Sequence, residues 1–143
     1  MTRIFAVLAL FLTLLGSACI GSGQTATSAQ AADNAAVASA FAEHRSPLEV
    51  TAQGRVDRVL SDETSDSGTH QRFIVKLDRS TQTLLITNNV SIGKRVPVAV
   101  GDSVLVHGEY IWNDQGGLVH FTHHDPDGSH PSGWIERQGV RYD

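Results

Sequence analysis

The 143-residue sequence contains only one cysteine, Cys19, and four prolines. A single cysteine excludes an intramolecular disulfide, so packing alone must hold the fold together. The sequence has no HExxH motif and no paired cysteines, and therefore lacks the standard zinc signatures. The net charge is −4 and the arginines are scattered, which argues against a nucleic acid as the partner.

The longest apolar run lies at the amino terminus, over residues 4–15. It follows Thr2 and Arg3 and precedes the small residues Gly16, Ser17 and Ala18, a pattern that is typical of a secretory signal peptide. An apolar helix of this length would span about 18 Å, which is too short for a bilayer core of roughly 30 Å. We therefore expect a signal peptide over residues 1–18 and an exported, periplasmic protein.

Cys19 directly follows the small residues and resembles the cysteine of a bacterial lipobox, which is exposed by cleavage and then carries lipid. That motif prefers leucine three residues before the cysteine, where this chain has Gly16. Lipidation of Cys19 would attach the protein to a membrane, whereas ordinary cleavage after Ala18 or Ala31 would release it.

The segment that follows is rich in alanine and small polar residues. Its composition predicts a flexible tether over residues 19–45, whose second half forms at most a transient helix. The folded domain is then expected over residues 46–143, a length that can bury an adequate core.

Within this domain, apolar residues alternate in short runs between turn signals, and no run has a convincing helical period. Strands are predicted over residues 54–60, 70–77, 83–87, 103–112 and 118–123. The stretch VAVGDSVLVHGEYIW resembles the fourth strand of OB-fold proteins, in which a Gly-Asp turn leads into alternating apolar residues and a bending glycine. The fold class is therefore predicted to be all-β, with a small OB-like barrel of about five strands and a C-terminal hairpin.

Three further motifs resemble a bacterial family of short exported proteins. They are HQRF at 70–73, GEY at 108–110 and HFTHHDPDGSHPSGW at 120–134. The resemblance covers residues 54–142 and implies a single exported domain. The family is catalogued as a domain of unknown function, so the resemblance implies no activity.

The pairing of the last two long strands determines which of their side chains meet. Burying the most apolar surface places Tyr110 opposite Val119 and Glu109 opposite His120 on the outer face. The same register places Gly108 opposite an inward-facing Phe121. A slip by one residue would place His120 opposite Tyr110 instead. The preferred register sets an acid beside an imidazole, an arrangement suited to a proton switch or a metal ligand.

Four of the seven histidines lie in residues 120–130. One group of candidate residues lies on outer strand faces, where OB barrels bind ligands, and comprises His70, Arg72, His107 and Glu109. A second group could hold zinc and comprises His120, His124, Asp125 and His130. The alternative role for Asp125 is structural: it accepts backbone hydrogen bonds in the turn Asp125–Gly128.

These observations favour a binding or accessory function in the cell envelope over catalysis, and they identify no catalytic residue. The ligand in the envelope is not specified by the sequence. Two alternatives remain: a metal-dependent hydrolase such as a nuclease, built around the second group, and a purely structural envelope domain.

Overall fold

The computed structural model describes residues 31–143. The predicted signal peptide and Cys19 lie outside the described residues. One helix and eight strands follow in chain order: α1 (Asn34–Ala42), β1 (Leu48–Val59), β2 (Glu63–Ser65), β3 (Gly68–Leu77), β4 (Thr83–Asn89), β5 (Ser103–Ile111), β6 (Leu118–His120), β7 (Trp134–Arg137) and β8 (Val140–Tyr142).

Five of these strands close into a barrel in the order β1-β3-β4-β6-β5, with β5 pairing back onto β1. All pairs are antiparallel except β4 with β6. The β7–β8 hairpin extends the sheet beyond β5, and β2 pairs with β3. The predicted all-β, OB-like barrel with a C-terminal hairpin is confirmed.

The core fills the barrel because inward residues alternate with outward residues along each strand. On β3, for example, Phe73 and Val75 are buried, whereas Lys76 between Val75 and Leu77 is exposed. Tyr110 on β5 is the largest of the fully buried side chains. Among residues 31–143, no helix has both the length and the apolar character needed to span a bilayer.

Helix α1 corrects the prediction of a flexible tether over the whole of residues 19–45. Asp33 caps the helix by accepting a hydrogen bond from the Ala36 amide at 2.9 Å. Val37 and Ala40 are fully buried against the barrel. The indole of Trp112 also donates a hydrogen bond to the Phe41 carbonyl at 3.1 Å. The helix is stable because tertiary packing supplies what its short sequence lacks alone.

The hairpin register is confirmed at two positions and differs at the next. Tyr110 pairs with Val119, and Glu109 pairs with His120. Strand β6 then ends, because Phe121 adopts a φ of 51°, in the left-handed region. The predicted inward position of Phe121 opposite Gly108 was therefore wrong, and so was a strand that continues to residue 123.

Candidate functional site

Three strands bring two acids and an imidazole into one row on the outside of the barrel. Glu49 on β1 is the cross-strand partner of Glu109 on β5, which is in turn the partner of His120 on β6. The Nε2 atom of His120 lies 2.9 Å from Oε1 of Glu109, within hydrogen-bonding distance. Two carboxylates placed directly opposite each other repel. The histidines beside them offset that repulsion when they are protonated.

His107 lies one step along the same outer face and is only 7% exposed. Its Nδ1 shares a hydrogen bond of 3.0 Å with the Thr51 hydroxyl, and its Nε2 lies 3.7 Å from Glu49 Oε2. The ring also stacks against Trp134, with centroids 5.6 Å apart. These contacts engage both ring nitrogens and one face of the imidazole, so His107 is a buried support beside the row of acids.

Glu49 has a perturbed carboxyl group. Burial raises its pKa above the ordinary value of 4.5, whereas His107 acts in the opposite direction. The charge of Glu109 raises the pKa further, and His130 and His120 lower it. Glu49 thus interacts electrostatically with histidines from β5, β6 and the loop that follows β6.

The left-handed turn at Phe121 places its ring between two imidazoles. The centroid of Phe121 lies 4.0 Å from that of His120 and 3.8 Å from that of His130, with nearly parallel planes. Two rings cannot both stack at such distances on the same face of a phenyl group. His120 and His130 therefore lie on opposite faces of Phe121 and are held apart by it.

The loop from His123 to Gly133 is organised around the carboxylate of Asp125. Oδ2 accepts a hydrogen bond from the His130 amide at 2.8 Å, and Oδ1 accepts one from the Asp127 amide at 3.1 Å. The hydrogen bond from the His130 amide is the main reason why the pKa of Asp125 lies below its ordinary value. The structural role predicted for Asp125, that it accepts backbone hydrogen bonds across the turn, is confirmed.

Two imidazoles in this loop have their tautomers fixed by backbone carbonyls. Nδ1 of His123 lies 2.7 Å from the His124 carbonyl, and Nδ1 of His130 lies 2.8 Å from the Pro131 carbonyl. A carbonyl oxygen can only accept, so each Nδ1 carries a proton and donates it. Each neutral ring then has a lone pair on Nε2. The two rings are close, with centroids 5.3 Å apart in an edge-to-face arrangement.

These side chains line a cleft of about 410 Å³, which we call the histidine cleft. Its walls include His70 from β3, His120 from β6, and His123 and His130 from the loop, beside Phe121. His123 is only 3% exposed, and its Nε2 has no hydrogen-bond partner among residues 31–143. No buried side-chain nitrogen in that range is left unsatisfied, so this Nε2 keeps some contact with solvent.

The structure divides the first predicted group, for ligand binding. His70 lines the histidine cleft, and Glu109 supports it through His120. Arg72, however, bonds the Glu63 carboxylate at 2.9 Å and the Ser61 carbonyl at 3.1 Å, away from the cleft lining. His107 is buried and does not line the cleft.

The second predicted group, for zinc, is not assembled as predicted. Phe121 separates His120 from His130, His124 is exposed, and Asp125 is engaged by backbone amides. Across residues 31–143, no three His, Cys, Asp or Glu side chains are grouped so that they could hold a metal ion.

Sequence reasoning missed three contributors to the site: Glu49, Phe121 and His123. Glu49 became part of it because β1 begins at Leu48, before the predicted start at residue 54. The alternation of Leu48, Val50 and Ala52 is the sequence signal that could have extended this strand and found Glu49. His123 and Phe121 carry no comparable local signal.

A protein-family model described as a protein of unknown function, DUF3465, matches residues 20–143. The match covers all of the described domain and extends further toward the amino terminus than the expected range of residues 54–142. The search of curated proteins found no match.

Proposed function

We propose that this chain, which belongs to the DUF3465 family of proteins of unknown function, is a non-catalytic binding domain of the cell envelope. The histidine cleft is its ligand site. The observation that carries this proposal is the convergence of four imidazoles, from β3, β6 and the loop directly after β6, on one concave space. A largely preformed cleft with a few convergent polar groups is the usual form of a small-molecule site.

The chemistry of the cleft favours a ligand that donates hydrogen bonds. When neutral, the rings of His123 and His130 each offer an Nε2 lone pair. The carboxylates of Glu49, Glu109 and Asp125 lie in or near the site, and Asp125 Oδ1 is 3.9 Å from the Nε2 of His130. With neutral imidazoles these acids make the surroundings negative. A small molecule that bears hydroxyl and amine groups therefore fits better than an anion.

The faces of Phe121 do not contribute to binding by stacking, because His120 and His130 already cover them. The triple stack instead fixes the positions of both imidazoles before a ligand arrives. Such preorganisation reduces the entropy that binding must offset.

Nuclear magnetic resonance of the imidazole nitrogens tests the proposal directly, with glucosamine as the probe. A ligand of about 12 non-hydrogen atoms, at roughly −0.3 kcal/mol per atom, has an expected dissociation constant of about 2 mM. We expect saturable shifts of the Nε2 signals of His123 and His130. Glucuronate, an acidic sugar of similar size, should bind more weakly.

The matched variants are His70→Gln, which changes a histidine that lines the cleft, and His124→Gln, which changes an exposed histidine outside its lining. Only the first should weaken glucosamine binding. Glucosamine shifts that are absent, or that weaken equally in both variants, would show that the cleft is not the binding site.

The metal-dependent hydrolase is weaker on geometric grounds, since Phe121 holds two of its four predicted ligands apart. A metal ion that binds tightly to the folded protein would raise its melting temperature by mass action. Adding zinc to the chelator-treated protein should leave that temperature unchanged. A zinc-dependent increase that requires His120 and His130 would restore the hydrolase as the better candidate.

A further inference from the structure

Three cations gather near the β3–β4 turn, at an end of the barrel whose cleft shares no lining residue with the histidine cleft. Arg55 on β1 is the direct cross-strand partner of Lys76 on β3, and Arg79 follows in the turn between β3 and β4. All three side chains are exposed. We call this group the basic end. Like charges placed directly opposite each other in a sheet destabilise it, so an anionic partner would relieve the repulsion.

The described chain does not supply that partner. Among residues 31–143, Arg55 donates one hydrogen bond, to the Gly101 carbonyl at 3.3 Å, and neither Lys76 nor Arg79 forms an ion pair. The three cations line an open cleft of about 550 Å³ together with the hydroxyl-bearing Ser80 and Thr81. Asp78 is the one acid in the lining of this cleft. Because three cations face a single carboxylate, the basic end has a local excess of positive charge.

The amino-terminal segment joins the domain at this same end. Ala32 and Arg79 line an adjoining cleft of about 610 Å³. Asn34, at the start of α1, donates hydrogen bonds to the carbonyls of Gln53 at 2.8 Å and Asp78 at 3.4 Å. The described part of the chain therefore begins beside the basic end, and the candidate lipidation site precedes it in the sequence.

His70, which lines the histidine cleft, lies at the other end of β3 from Lys76. His70 and Lys76 share the outer face of β3 and are six residues apart, which corresponds to about 20 Å.

We propose that the basic end docks on an anionic phospholipid surface, with the lipid phosphates as its partners. The chain carries a net charge of −4, so an anionic membrane repels the protein as a whole and attracts only a locally positive face. Docking through Arg55, Lys76 and Arg79 also places the chain entry at the membrane. The histidine cleft shares no lining residue with the basic end, so its own lining is not part of the docked surface.

Vesicle partitioning of the full chain tests this proposal. Partition coefficients are measured on vesicles of phosphatidylcholine alone and on vesicles in which about a third of the lipid is phosphatidylglycerol. The ratio of the two coefficients cancels binding by apolar residues 4–15, which does not depend on lipid charge. We expect preference for the anionic vesicles at low salt and its loss in 0.5 M NaCl, where the Debye length is about 4 Å.

The discriminating variant is the double substitution Lys76→Gln and Arg79→Gln. At roughly fivefold per cation, its anionic preference should fall about 25-fold. The control, Arg45→Gln with Lys94→Gln, makes the same change in net charge at exposed ion pairs outside the basic end. It should keep most of the preference. An equal loss in both double variants would overturn the proposal, because only net charge would then matter.

A second arm distinguishes lipid phosphate from free phosphate. Inorganic phosphate at 1 mM should neither displace the protein from anionic vesicles nor raise its melting temperature. If phosphate instead binds saturably at that concentration and the Lys76→Gln and Arg79→Gln substitutions abolish its binding, the basic end is a site for a soluble anion. The membrane proposal would then be wrong.

Discussion

Substitution of Val37 measures how far α1 belongs to the folded domain. Val37→Ala removes two carbon atoms from a side chain that has no solvent exposure. At about 0.8 kcal/mol for each buried carbon, the transfer cost is about 1.6 kcal/mol, to which a cavity adds a further penalty. Alanine is the better helix former, by up to about 0.7 kcal/mol. Burial outweighs propensity, and we expect a net loss of 1–2 kcal/mol, on the order of the buried-methyl scale.

The sign of the effect makes the experiment decisive. In a free helical tether only propensity would act, and Val37→Ala would leave the domain's stability unchanged or increase helix content. In the packed helix the urea midpoint should fall by about 1 M, for an unfolding slope of roughly 1.5 kcal/mol/M. Tryptophan fluorescence is a suitable signal because the Trp112 indole is hydrogen-bonded to the helix at Phe41.

Ala38→Ser provides the control, because Ala38 lies one residue further along α1 and is exposed. It should change the free energy of unfolding by less than about 0.5 kcal/mol. A midpoint that does not fall in Val37→Ala would refute the argument that tertiary packing stabilises this helix.

Two further predictions concern the site. Gly133→Ala should lower the free energy of unfolding by roughly 3 kcal/mol, because a Cβ there would lie 1.9 Å from the Phe121 carbonyl oxygen. In the control, Gly128→Ala, the new Cβ meets open space, and the positive φ alone should cost about 1 kcal/mol. Equal midpoints of urea unfolding for the two variants would contradict this prediction. Burial makes the folded state hold the Glu49 proton more tightly than the unfolded state does, so wild-type stability should fall as pH rises from 4.5 through the raised pKa. Glu49→Gln should lack that fall in urea titrations across this pH range, and an identical pH profile would contradict the assignment.

The alternation of apolar residues was enough to predict the barrel and the hairpin register. Shifting β6 by one residue would have turned Val119, which is fully buried, toward solvent, so only one register kept the apolar surface inside. The role predicted for Gly108, to leave room for an inward Phe121 ring, was wrong. A Cβ at Gly108 would lie 2.3 Å from the His120 carbonyl oxygen rather than against an inward Phe121 ring.

Helix α1 escaped prediction for a different reason. Its nine residues are mostly alanine and small polar residues, and an isolated helix of that length is marginal in water. What stabilises it is contact with β1 and Trp112, and these partners are remote in sequence. The signal peptide, lipidation of Cys19 and periplasmic location remain predictions from the sequence.

One backbone torsion explains why the predicted zinc group and the observed cleft exclude each other. If Phe121 had continued the strand, its ring would have entered the core and left His120 and His130 with nothing between them. The φ of 51° instead ends β6 and brings the ring to the outer side, where it separates the two imidazoles. The same turn directs the following residues into the loop that Asp125 closes, which adds His123 and His130 to the cleft. A left-handed phenylalanine has no sequence signature, because only the surrounding structure can offset its steric cost.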